Sequence, residues 1–185
     1  MSDQDKPEFI AGAGPERATG RIEICDYDPA WPAAFEGEAA RIASALGGAA
    51  LAIDHAGSTS VPGLAAKPII DITLTVPDTT DEPAYVGALE AAGYRFIARE
   101  PGWFEHRLFK ADAPKVNLHV FSAGCPEIER MKRFRDWLRA NPADRALYEA
   151  TKRRLAAQDW AIVQDYADAK TEVVAEIMMR AQDAG

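Results

Sequence analysis

Cysteine is scarce: Cys25 and Cys125 are the two in a chain of 185 residues. Two thiols exclude a disulfide scaffold and cannot furnish a four-thiolate zinc site. They make a reduced, cytoplasmic setting the expectation. No stretch approaches the roughly 18 apolar residues of a membrane span, and residues 1–20 lack the apolar run of a signal peptide. No membrane partner is expected. Basic residues are also short, 21 Lys and Arg against 29 Asp and Glu, a formal charge of −8. That balance argues against a nucleic-acid coat protein, which needs surplus positive charge over phosphates. It leaves room for a local basic pocket. No internal repeat occurs.

What is present suits one folded domain: 48% hydrophobic and 27% charged residues. Residues 1–20 are rich in Gly, Ala, Pro and charge and read as a flexible tail. Alternation predicts a short strand over 22–24. Asp28-Pro29 is a helix-start signal, and Trp31, Phe35, Ala39, Ile42 and Leu46 recur at helical spacing until Gly47-Gly48. A strand is predicted over 50–55. Another, over 69–76, is so β-branched that both faces should be buried. A helix over 80–92, strands over 94–98, 104–110 and 116–121, and helices over 127–140, from Asn141-Pro142, and over 161–181 complete the expectation. The class is α/β (α+β), mixed first and all-helical last.

The segment from His55 through Gly57-Ser58-Thr59-Ser60 to Gly63 carries the most chemistry. Glycine admits close approach of a bound group, and hydroxyls and helix-start amides can hold phosphate. The same residues equally describe a tight turn. Asp71 lies within a very apolar strand, where a carboxylate is costly unless paired, metal-bound or facing a cleft. It is either a ligand for a divalent ion or a carboxylate satisfied by backbone amides or Lys67. His119 shares a face with Asn117 by strand alternation and suits acid–base work, a metal site or a hydrogen-bonded core role. Tyr148 and Lys152 are four apart, as are Tyr166 and Lys170, each setting an aromatic beside an ammonium. With Lys67 and Arg107 they are the candidate cations of an anion pocket.

The run from His55 to Ile72, His-Ala-Gly-Ser-Thr-Ser-Val-Pro-Gly-Leu-Ala-Ala-Lys-Pro-Ile-Ile-Asp-Ile, closely resembles the signature of the GrpB-like family. The resemblance continues through Trp31 to Phe35, Asn117 to Phe121, Phe134 to Arg139, Asn141-Pro142, Tyr148, Lys152, Tyr166 and Ala169-Lys170. It covers nearly everything beyond the tail. The family is classed with the polymerase-β type nucleotidyltransferase fold. This implies a small mixed sheet flanked by helices over 21–125, with the helices of 126–185 packed on it. It implies a nucleotide or similar phosphorylated small molecule on Ser58, and magnesium or another divalent cation on Asp71. The usual second acid of that strand is Thr73 here, and Asn117 and His119 stand where a third would be sought. Glu100, at a position often acidic in the family, would complete a site of Asp71, Glu100 and His119. The expectations are therefore a nucleotidyltransferase-like protein with an incomplete carboxylate set, an inactive ligand-sensing or protein-interaction module, or a single-metal hydrolase using Asp71 and His119.

Overall fold

The computed structural model describes residues 6–10, 12–18 and 21–183. Six strands form one mixed sheet: β1 (Glu8–Phe9), β2 (Ala52–Ala56), β3 (Ile70–Val76), β4 (Arg95–Glu100), β5 (His106–Asp112) and β6 (Lys115–Ser122). Their order is β1-β4-β5-β6-β3-β2. The β3–β6 pair is parallel and every other pair antiparallel.

Period-two alternation gives the sheet two unlike faces. Ile70, Ile72, Leu74 and Val76 on β3 join Val116, Leu118 and Val120 on β6 in the main core, with Phe96 and Phe109 stacked at 4.6 Å. Helices α1 (Trp31–Leu46) and α2 (Val86–Ala91) cover this side. Pro32 pre-sets the first turn of α1, and Trp31, Ile42 and Leu46 are its buried stripe. The opposite face carries Asp71, Thr73 and Thr75 in register with Asn117, His119 and Phe121. Asp71 and Thr75 are part-exposed, so this strand is not buried on both faces as its composition suggested.

The C-terminal helices are α3 (Pro126–Ala140), α4 (Pro142–Ala156), α5 (Val163–Asp168) and α6 (Thr171–Asp183). α3, α4 and α6 pack around Val61 and Leu64, which lie in the segment between β2 and β3, and α5 sets Tyr166 against Leu155 and Ala156 of α4. Lys132 of α3 pairs with Asp54 of β2 at 3.0 Å, which draws α3 to the Asp71 side of the edge strand.

Four local expectations differ. The helix over 161–181 is broken between α5 and α6, with Lys170 at the break. Residues 22–24 form no strand; Cys25 makes a single bridge to Ala66. The strand placed at 104–110 starts at His106, because Phe104 and Glu105 both have positive φ. The tail is docked where it is described. Glu8–Phe9 pairs with β4, Glu16 pairs with Lys110, and the Val163 amide donates to the Glu16 carbonyl at 2.9 Å. The expectation for residues 1–5, 11 and 19–20 lies outside the described residues.

Candidate functional site

Gly57 turns the chain out of β2 with φ +64°, a conformation that costs glycine least. A Cβ there would lie 2.2 Å from the Asp71 Oδ2 atom. The aspartate therefore packs flat on the glycine, and the hydroxyl turn and the carboxylate share one side of the sheet. Asn117 donates to Asp71 Oδ1 at 2.9 Å, and His119 Nε2 lies 4.0 Å from the same oxygen. Burial alone would raise the Asp71 carboxyl. The imidazolium form of His119, the Asn117 amide and the charge of Lys67 outweigh it and hold the group below its ordinary value.

Three lysines, one on α4 and two in the segments between elements, act on this carboxylate. Lys152 of α4 donates to Ser58 Oγ at 3.0 Å and to the Ala65 carbonyl, with its ammonium 4.8 Å from the Tyr148 ring centroid. Lys170 and Lys67 lie 4.5 and 5.7 Å from the Tyr166 ring centroid. Burial, then the charge of Lys170, pushes Lys152 down to about 7. Burial, then the charge of Lys67, pushes Lys170 down to about 8. Lys67 is lowered mainly by burial, although Asp71 and Glu16 oppose the shift. Burial raises the Tyr148 phenol to about 12. Among the described residues the buried Tyr166 hydroxyl has no hydrogen-bond partner, and burial, then Tyr148, raises its phenol. Beside them, a groove of about 200 Å³ runs along Gly57, Ser58 and Tyr148 to Phe134 and Arg135 of α3.

Several expected site residues are used elsewhere. His55 is in register with Ile72, so it faces the α1 side. It stacks on Phe35 at 4.6 Å and meets the Thr59 hydroxyl at 3.1 Å, and burial lowers its pKa to about 4. Thr59 also donates to the Ile69 carbonyl, and Ser60 donates to the Gly57 carbonyl. These three side chains hold the turn's shape. Arg107 is in register with Val120 on the same far side and is bound to Glu82 and Glu105.

Glu100 does not reach Asp71. It meets His106 Nδ1 at 2.6 Å, and His106 Nε2 meets His119 Nδ1 at 3.0 Å. The chemistry of the donor set does not fit a polymerase-type two-metal centre, which needs carboxylates flanking the ions. Asn117 turns an amide donor to Asp71, Glu100 is held by His106, and Thr73, next along this strand face, is a buried hydroxyl and not an acid. Among the described residues no three His, Cys, Asp or Glu side chains gather to hold a metal ion. Sequence reasoning missed His106 and Arg135. The strand register that lays His106 beside His119 left no mark in local composition.

The fold and the site define an α/β protein whose open sheet face and Gly-Ser turn lie together, with Lys67, Lys152 and Lys170 acting on Asp71. The family profile described as GrpB protein matches residues 21–180, and the chain belongs to the GrpB family. It is 55% identical over 181 residues to UPF0157 protein BH1888 of Halalkalibacterium halodurans, covering 97% of this chain and 92% of that one. It is 46% identical over 168 residues to UPF0157 protein SCO7215 of Streptomyces coelicolor, with 91% and 87% covered. The crystal structure of the conserved protein GrpB from Enterococcus faecalis superposes with a TM-score of 0.77 at 31% identity, covering 88% of this chain and 98% of that one. Among the described residues no helix is long and apolar enough to cross a membrane.

Proposed function

We propose that this chain binds a nucleotide or a similarly compact phosphorylated small molecule in the Ser58–Lys152–Lys170 pocket. The observation that carries this reading is the excess of buried positive charge. Lys67, Lys152 and Lys170 gather near Asp71, and burial holds all three below their ordinary pKa although Asp71, Glu16, Glu149 and Asp168 act the other way. Burying unpaired charge costs several kcal/mol per ion, by order of magnitude. A doubly charged phosphate supplies the missing partner, and each pKa unit it restores is worth about 1.4 kcal/mol of binding. The Ser58 hydroxyl and the orphan Tyr166 hydroxyl add neutral contacts.

Magnesium-dependent nucleotidyl transfer, and a single-metal hydrolase on Asp71 and His119, both need ligands that this pocket does not gather. The binding role is therefore the reading supported best, with ligand sensing as its expected use. Calorimetry with a panel of nucleoside triphosphates and inorganic phosphate, with and without magnesium, tests it. Binding should be indifferent to magnesium and at least about tenfold weaker in Lys170→Met and Ser58→Ala. Binding unmoved by either substitution, or absent throughout, defeats the reading.

Tyr166→Phe gives a separate check. Losing an unpartnered buried hydroxyl should leave thermal stability unchanged or raise it by about 1 kcal/mol. Phosphate affinity should nevertheless fall about threefold or more, the loss of one hydrogen bond. Unfolding curves and calorimetry on the same sample separate the two effects.

A further inference from the structure

The Asp71 face carries a hydrogen-bonded chain that anion binding does not require, Glu100, His106 and His119, and His119 Nε2 at its end lies 4.0 Å from Asp71. His106 is nearly inaccessible, walled by Trp103 and Phe121 with ring centroids 4.7 and 4.8 Å away. Burial outweighs Glu100 and holds it down to about 4, so it is neutral near pH 7. A neutral imidazole has one donor and one acceptor nitrogen. Glu100, a carboxylate, accepts, so the His106 proton is on Nδ1. His106 Nε2 then accepts, and the donor across the 3.0 Å contact is Nδ1–H of His119. The bare nitrogen of a neutral His119 is therefore Nε2, on a ring that is part-exposed and beside the Asp71 carboxylate. Two acceptors facing one another at that separation lack a proton between them, and a ligand hydroxyl provides one.

We propose that His119 Nε2 accepts a hydrogen bond from a hydroxyl of the bound molecule, so that the pocket selects a hydroxyl-bearing phosphate ester, such as a sugar or polyol phosphate unit. This rests on the phosphate reading of the pocket. His106 and Glu100 are positioning residues that fix the His119 tautomer, and the Asp71 carboxylate steadies the proton as it approaches Nε2.

The test is long-range proton–nitrogen correlation NMR on protein labelled with ¹⁵N-histidine, at about pH 8 so that an ordinary imidazole is neutral. In the free protein His119 should carry its proton on Nδ1. A proton on Nε2, in the neutral ring or in an imidazolium, overturns the proposal. His106→Gln offers an amide oxygen in place of the acceptor and should keep that tautomer, whereas His106→Leu should release it. Glycerol 3-phosphate and propyl phosphate are then titrated as a pair equal in charge and different in hydroxyls. Both should bind, and only glycerol 3-phosphate should shift the His119 Nε2 resonance. Binding of both with Nε2 moved by both or by neither overturns the hydroxyl assignment and leaves the phosphate pocket standing. If neither binds, the pocket reading fails and the ligand class fails with it.

Discussion

Sulfate affinity should fall by nearly three orders of magnitude, about 500-fold, as pH rises from about 7 to about 9, with a midpoint far below that of an ordinary lysine. Sulfate keeps its charge across this range, so the titration belongs to the protein. Lys152 and Lys170, depressed to about 7 and about 8, are both charged below the lower value and both neutral above the higher. Each proton the anion requires costs about tenfold per pH unit above its pKa. Asp71, Glu16 and Glu149 are anions throughout the range, and Arg153 stays charged. Lys152→Met should remove the lower step and Lys170→Met the upper one. Stability should move the opposite way. Between the depressed folded values and the unfolded value of 10.5 the unfolded chain binds protons that the folded one lacks, so the lysine contribution to unfolding free energy rises with pH. The destabilising effect of these buried charges is complete below about 7 and relieved above it. Affinity that is flat to about pH 10 would show that the buried lysines take no part in anion binding.

Gly57→Ala should be strongly disruptive, costing about 2–4 kcal/mol and lowering the melting temperature by roughly 5–15 °C. Two penalties coincide. The backbone φ of +64° strains any L side chain, and the new methyl would meet Asp71 at 2.2 Å. Asp71 cannot simply swing aside, because Asn117 holds its Oδ1. Gly63 is the control: its φ is +77° but an added Cβ meets nothing within 4 Å. Gly63→Ala should cost about 1 kcal/mol, the strain alone. The double change Gly57→Ala with Asp71→Gly should recover the clash component and leave the strain. Equal melting temperatures for the two alanine variants would mean that Asp71 does not rest on the turn. Phosphate binding should be lost in Gly57→Ala and retained in Gly63→Ala.

Much of the fold was legible because it rests on short-range patterning. The apolar runs of β3 and β6, the stripe of α1 and the proline start of α4 each announce themselves within a few residues. The failures are where distant packing overrides local periodicity. The last helical stretch keeps its periodic stripe across Ala169-Lys170, yet breaks there and brings Lys170 to the Tyr166 ring. The N-terminal segment looks unstructured by composition, but β4 presents a free edge that Glu8–Phe9 pairs with.

The pocket divides the same way. Ser58, Asp71, Lys152 and Lys170 could be nominated from residue type and from the long family signature, and they converge. His55, Arg107 and Glu100 looked equally suitable and do not. Strand register turns His55 and Arg107 to the α1 side, and His106 intercepts Glu100. By itself the sequence determined the elements, the family and the chemical types at the site, because these follow from local periodicity and a contiguous motif. Which polar side chains meet, which lysines lose their water and which histidine nitrogen stays bare were decided by the tertiary structure. Those properties depend on strand order and burial, and neither is encoded by the neighbours of a residue in the chain.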